Sequence, residues 1–231
     1  MTLWRLLLLA SLVVSPGVAS AQSGDPLEFW GELNLFKKVN PTTRLYFVVA
    51  NTKGKEAAFR TVDLAGFVDL TIGPQLPRRR QKQDWQTRKY LWVRIGYDYV
   101  FKAEERTRTA PEHRGIVALY GRAYLPGAIL VEGRTRADLR WIEGNYSTRY
   151  RLRFEVNRDF TVLHRVVTPY FQAEYFYDTR YDGWSRDLYQ AGAEIGVTGH
   201  FRVEPSVVRQ LDKLPSSSGL YAFALVARWY Y

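Results

Sequence analysis

Cysteine is absent from this 231-residue chain, and histidine and methionine are scarce, at 3 and 1. Without cysteine no disulfide can staple the fold, which excludes the small cross-linked secreted scaffolds and leaves packing or closed backbone hydrogen bonding to hold the chain together. The same absence, with no histidine pair at ligand spacing, leaves no expected metal site. Phosphate-cradling glycine loops are missing as well, so no cofactor is expected. Beyond the first twenty residues no apolar run approaches the roughly 18–20 residues that a transmembrane helix needs, and a helical membrane protein is excluded. Linkers, low-complexity tracts and shifts of composition are also lacking, so one domain is expected.

The N-terminus carries Arg5 and then the apolar run Leu6 to Val14, too short to span as a helix, followed by Ala19-Ser20-Ala21. That order predicts a signal peptide over residues 1–21 and an exported domain over 22–231. Lys and Arg number 33 against 23 Asp and Glu, which suggests acidic neighbours such as lipid phosphates or a small anionic solute. Nucleic acid is not an expected partner outside the cytoplasm.

Aromatic residues are abundant, with 16 Tyr, 12 Phe and 7 Trp, and they sit in segments that alternate at period two. Thr148, Tyr150, Leu152, Phe154 and Val156 share one face, with Arg149, Arg151, Arg153 and Glu155 on the other. The preceding segment repeats this, setting Ile129, Val131, Gly133, Thr135, Ala137, Leu139 and Trp141 against Glu132, Arg134, Arg136, Asp138 and Arg140. A third sets Leu91, Val93, Ile95, Tyr97, Tyr99 and Phe101 against Arg94, Gly96 and Asp98. Trp92, Tyr99, Phe101, Tyr124, Trp141, Tyr177 and Trp229 lie near strand ends and read as interfacial girdles.

At the C-terminus Tyr221, Phe223, Leu225, Ala227, Trp229 and Tyr231 share one face. This resembles the aromatic-terminated strand by which outer-membrane barrels are recognised for assembly, with Phe223, Leu225, Trp229 and Tyr231 as the signal. The expected fold is therefore an all-β, antiparallel transmembrane β-barrel in the bacterial outer membrane. Eleven extended runs are visible, whereas a single-chain bacterial barrel should hold an even number. Twelve strands are expected, with the run Ala58 to Ile72 divided around Ala65-Gly66; ten would follow if the first run does not span. If the last strand descends to the periplasm, the turns at Pro126-Gly127 and Gly199-His200 are periplasmic, and the connections Lys102 to His113, Asp178 to Arg186 and Leu211 to Gly219 are external.

Trp30, the strand Tyr150-Arg151-Leu152-Arg153, Pro169-Tyr170 followed by Glu174 and Phe176, and Arg186 followed by Tyr189 and Gly192 together form a pattern of short motifs. It resembles an outer-membrane barrel family catalogued as a domain of unknown function, family 2490, mainly over residues 114–231. The resemblance implies a barrel in the outer membrane and supplies no catalytic residue.

The inward face gathers Arg94, Arg134, Arg136, Arg140, Arg149, Arg151 and Arg153, with Glu174 and Glu194 on neighbouring strands as candidate partners. Such a face predicts either a salt-bridged structural core or a narrow, anion-preferring conduit. Expected partners are outer-membrane lipids and lipopolysaccharide, the barrel-assembly machinery and a small anionic solute. His113, His164 and His200 have no local Ser or Asp partner, so no catalytic residue and no enzyme is expected. Two alternatives remain: a lipid-modifying barrel enzyme using one of these histidines, or a soluble exported β-sandwich that binds an acidic ligand. Arg78, Arg79, Arg80 and Lys82 read as a solvated basic turn.

Overall fold

Alternation of apolar and polar side chains becomes a single curved sheet in the computed structural model, which describes residues 26–54, 60–75, 89–103, 111–213 and 219–231. The expected signal peptide and the basic turn at Arg78–Lys82 lie outside the described residues. The strands are β1 (Leu27–Lys38), β2 (Thr43–Gly54), β3 (Arg60–Gln75), β4 (Lys89–Ala103), β5 (Glu112–Leu125) and β6 (Ile129–Ile142). They continue as β7 (Asn145–Arg158), β8 (Phe160–Val162), β9 (Arg165–Asp178), β10 (Gly183–Gly196), β11 (Phe201–Asp212) and β12 (Leu220–Tyr230). Successive strands of the wall pair antiparallel, β7 with β9, and β1 then pairs with β12 to close the ring.

Twelve strands are present in total, but eleven of them form the wall. The twelfth is not hidden in the third run: β3 is continuous over 16 residues and pairs with β2 straight through Ala65 and Gly66. The extra strand is the three-residue β8, which pairs only with the start of β9. An odd wall has a geometric consequence, because its first and last strands must run the same way. The β1–β12 seam is accordingly parallel, with Leu27 opposite Tyr221 and Phe36 opposite Tyr230. Closure removes every long edge, so backbone donors and acceptors are satisfied within the wall.

Tight turns set the register at one rim and shape the other. Ile142 pairs with Asn145 across Glu143-Gly144, whose φ angles of 53° and 79° give the turn whose twist matches the flanking strands. At the opposite rim a short 3-10 turn at Pro126–Ala128 joins β5 to β6. The rim holding Glu143-Gly144 also carries the start of β1 and the β9–β10 connection. The rim holding Pro126–Ala128 carries the end of β12 and the turn at Gly199-His200. This grouping of turns and connections matches the expected one.

The two faces of the wall differ sharply. Outward positions are apolar: Leu33, Phe47, Leu64, Ile95, Leu119, Phe154, Phe171 and Leu225 are all exposed. Inward positions are mostly polar or aromatic, with aliphatic filling at places such as Ile116, Leu130 and Val208, and Asp69 and Asp138 are fully buried. A two-sheet sandwich would bury the apolar face instead, so that alternative is overturned by the single closed sheet.

Two girdle assignments are corrected. Trp92 is 2% exposed and lies inside, stacked on Tyr120 at 4.6 Å, and Tyr124 shares the inward face with Leu130. Gly192 meets the opposing backbone closely: a Cβ there would sit 2.6 Å from the Pro205 carbonyl oxygen.

Candidate functional site

Pleating sends alternate residues of each strand inward, so the lumen inherits whatever charge a strand holds at one parity. On β6 and β7 that charge is arginine-rich. The pairs Arg134–Arg153 and Arg136–Arg151 are direct cross-strand neighbours, as are Asp138–Arg149. Like charges side by side repel, and the strands hold because carboxylates on other strands reach between them.

Glu174 on β9 supplies one such carboxylate. It accepts from Arg151 Nε at 2.6 Å and from Arg134, with its side chain only 4% exposed. Glu132 accepts from Arg153 at 2.8 Å and from Arg122 Nε at 2.6 Å. Arg140 bridges Glu112 on β5 to Asp178 on β9, the latter at 2.6 Å. Asp138 takes Arg136. Glu112 also accepts twice from Arg114, at 2.8 and 2.9 Å, and Arg114 reaches Asp98 at 3.1 Å. The planar guanidinium suits this arrangement, because its fork can serve two carboxylates and stays charged.

The other expected arginine, Arg94 on β4, belongs to a second cluster. Asp69 is clamped between Arg94, at 2.7 Å, and Arg44, at 3.1 Å. Phe36, Tyr46 and Phe67 stack there, Phe36 on Tyr46 at 4.5 Å and Tyr46 on Phe67 at 5.2 Å. The arginines lie on these rings: Arg44 is 4.3 Å from the Phe36 centroid and Arg94 is 4.2 Å from that of Tyr46. Arg122 similarly covers Trp92 at 4.6 Å. Aromatic and guanidinium planes thus alternate across the lumen in the half nearer the Pro126–Ala128 rim.

Glu194 holds a third cluster. It accepts from Arg202 at 2.8 Å and Arg228 at 2.9 Å, and Arg228 also meets Glu204. The expected reach of Glu194 toward the β6–β7 arginines is therefore corrected: Arg202 and Arg228 are its guanidinium partners. Apolar filling completes the lumen between β9 and β12, where Phe176, Leu188, Val208, Leu220 and Ala222 pack with Trp30.

Sequence reasoning missed Glu112, Asp178, Asp69 and Arg44. Parity offered a signal for two of them: Asp178 is in phase with Glu174, and Glu112 precedes Arg114 at the same parity. Arg149 stands apart from its neighbours. Its nearest carboxylate oxygens, on Glu112 and Asp138, are both 3.8 Å away, beyond hydrogen-bond range.

The histidines lie apart from one another. His113 contacts the Tyr97 hydroxyl near one rim, His200 Nδ1 lies 2.8 Å from the Tyr230 carbonyl oxygen near the other, and His164 is exposed in a turn at φ 63°. Phe223, Leu225, Trp229 and Tyr231, the expected assembly face, all point outward and are exposed.

No curated protein and no solved structure matches the chain. A family match covers residues 79–219, beginning earlier than the sequence motifs suggest and ending before β12. On that match, over more than half its length, this β-barrel chain belongs to the family described as "Protein of unknown function (DUF2490)".

Proposed function

We propose that this protein is an outer-membrane barrel whose lumen is sealed by its own side chains, a structural element of the membrane and not an open pore. The observation that carries the reading is the neutralised interior: Arg134, Arg140, Arg151 and Arg153 each donate to a buried carboxylate of another strand. A permeation path needs guanidiniums free to exchange one anion for the next, and these are committed. The aromatic and arginine planes around Arg44 and Arg94, which adjoin Arg134 across the Tyr120 ring, thicken this barrier in the half nearer the Pro126–Ala128 rim.

Membrane residence is supported by the outer face. Its exposed Leu, Val and Phe side chains run continuously around the wall, far beyond the apolar patch that a soluble monomer leaves in water. Wall strands of 11 to 16 residues meet or exceed the roughly 9–11 that a tilted strand needs to cross. Lipid and lipopolysaccharide then cover the exterior. The barrel-assembly machinery reads the outward face of β12, Phe223, Leu225, Trp229 and Tyr231. No catalytic role is assigned to any residue.

Planar-bilayer conductance tests the seal, once a heat-shifted gel mobility confirms that the refolded barrel has formed. Silence from folded protein is the expected result. A steady anion-selective current that weakens or reverses when Arg134, Arg151 and Arg153 are changed to Glu would replace the sealed core with a narrow conduit.

A further inference from the structure

The hairpin of β7 and β9 outruns the wall at the Pro126–Ala128 rim. Asn157 is opposite Tyr170 and Phe160 opposite Val167, so the two arms advance in step and β8 continues β7 with its faces unchanged. On one side β6 begins at Ile129, opposite Arg158, and on the other β10 is last paired at Ile195, opposite Val167. Past those positions β8 has a free edge, and Arg165 and Val166 pair only with it.

The tip is apolar where a hairpin loop is ordinarily small and polar. Leu163 and His164 hold φ angles of 46° and 63°, a turn that favours glycine and asparagine, and Leu163 is 88% exposed. A strained turn that holds out a leucine points to a partner for that side chain outside the chain.

Face alternation narrows the kind of partner. Val156 and Phe171 belong to the exposed apolar face, and the unbroken register carries that face on through Arg158, Phe160 and Val162 on one arm and Val167 and Arg165 on the other. Phe160 and Val162 thus extend the lipid-facing surface past the wall, with an arginine at either end of the stretch. Arg158 lies over the Phe160 ring at 5.2 Å, and Arg165 reaches the carbonyl oxygens of Gly196 and Val197, at 3.5 and 3.3 Å. Neither meets a carboxylate among the described residues. The rim as a whole agrees in charge. Lys37 and Lys38, at the end of β1, are exposed there too, whereas the exposed acidic side chains among the described residues, Glu143 and Asp182, are both at the opposite rim.

We propose that the overshooting hairpin is an interfacial anchor for anionic phospholipid: Phe160, Val162 and Leu163 lie at the boundary of headgroups and acyl chains, and Arg158 and Arg165 take the phosphates. The anchor rests on the membrane reading, because it prolongs the lipid-facing surface. Strands of such barrels tilt by about 35–45°, so an overhang leans along the membrane surface. Guanidinium forks match phosphate oxygens, and each basic side chain near an anionic surface adds attraction. On the expected topology this rim faces the periplasm, which sets the hairpin against the inner leaflet and away from lipopolysaccharide.

The chain has 0 cysteines, so His164→Cys carries one environment-sensitive fluorophore beside Leu163 without background. The full chain is refolded into phosphatidylcholine vesicles containing phosphatidylglycerol, with a nitroxide near the headgroup end of the acyl chain of one lipid or the other. Both leaflets have the same composition, so the direction of insertion does not matter. Half-maximal quenching is expected at roughly fivefold lower mole fraction of nitroxide when phosphatidylglycerol carries it, and Arg158→Gln with Arg165→Gln brings the two lipids to parity. Lys213→Gln, at the opposite rim, keeps the preference. Equal quenching with both arginines present overturns the anchor, as does a preference that survives their loss. A fluorophore that neither lipid quenches and that aqueous iodide reaches freely also overturns it, in favour of a soluble partner. Heat-shifted mobility confirms insertion of each variant: a chain that inserts into no vesicle fails the membrane reading, whereas an inserted barrel without the preference fails the hairpin alone.

Discussion

Asp69 shows how tightly an inward charge is committed. It is fully buried, its two oxygens are taken by Arg44 and Arg94, and both arginines lie on aromatic rings. Replacing such an ion triad with apolar groups can be neutral, but removing one member leaves a buried charge uncompensated. Asp69→Asn is therefore expected to destabilise the barrel by about 3–5 kcal/mol, seen as a lower urea midpoint for loss of the heat-shifted gel band. Asp212, paired with the half-exposed Arg186, is the contrast: Asp212→Asn should cost about 1 kcal/mol or less. Equal effects at the two positions would show that burial does not govern the lumen. Of this triad only Arg94 was legible in the sequence; Asp69 and Arg44 belong to strands whose polar positions are sparse and give no arginine-rich face. Trp92 was legible and was misplaced: it shares parity with Arg94, and that period-two phase outweighs its place near a strand end.

Strands carry their meaning on two faces, and the outer one separates a membrane barrel from a soluble one. β5 is placed for this test, with Ala118 and Tyr120 packed inside while Val117 and Leu119 look outward near its middle. Leu119→Arg leaves the lumen untouched. In a bilayer it should cost about 2–4 kcal/mol, because the new charge sits at the depth where no water or headgroup reaches it. The check is refolding into lipid vesicles, scored by the folded fraction in a urea series; an unchanged midpoint would count against membrane residence. The sequence made this face readable in β6 and β7, where alternation runs unbroken from Val131 to Trp141 and from Thr148 to Val156. It did not reveal which carboxylate meets which arginine, because those contacts cross strands that are distant in sequence: Arg134 meets Glu174, and Arg140 meets Glu112.

Parity of the wall decides where the chain enters and leaves it. With eleven wall strands and a parallel seam, the start of β1 lies on the rim of the Glu143-Gly144 turn, whereas the end of β12 lies on that of Pro126–Ala128. The expected twelve strands are present, but β8 stays outside the wall and leaves it with an odd eleven, which β-sheet chemistry permits. Parallel pairing satisfies the same backbone groups with slanted hydrogen bonds, slightly weaker per residue, and here the loss is confined to a single seam. The native chain has 0 cysteines, so single thiols report the arrangement without background. Pro26→Cys, Glu143→Cys and Ala128→Cys place one thiol each at exposed positions: the start of β1, the rim it shares, and the opposite rim. A membrane-impermeant maleimide added to intact cells should treat Pro26→Cys and Glu143→Cys alike and Ala128→Cys oppositely. Labelling of Pro26→Cys together with Ala128→Cys would require an even wall with antiparallel closure. The parallel seam would then be absent in the membrane, and the sealed lumen, whose register depends on it, would have to be drawn again.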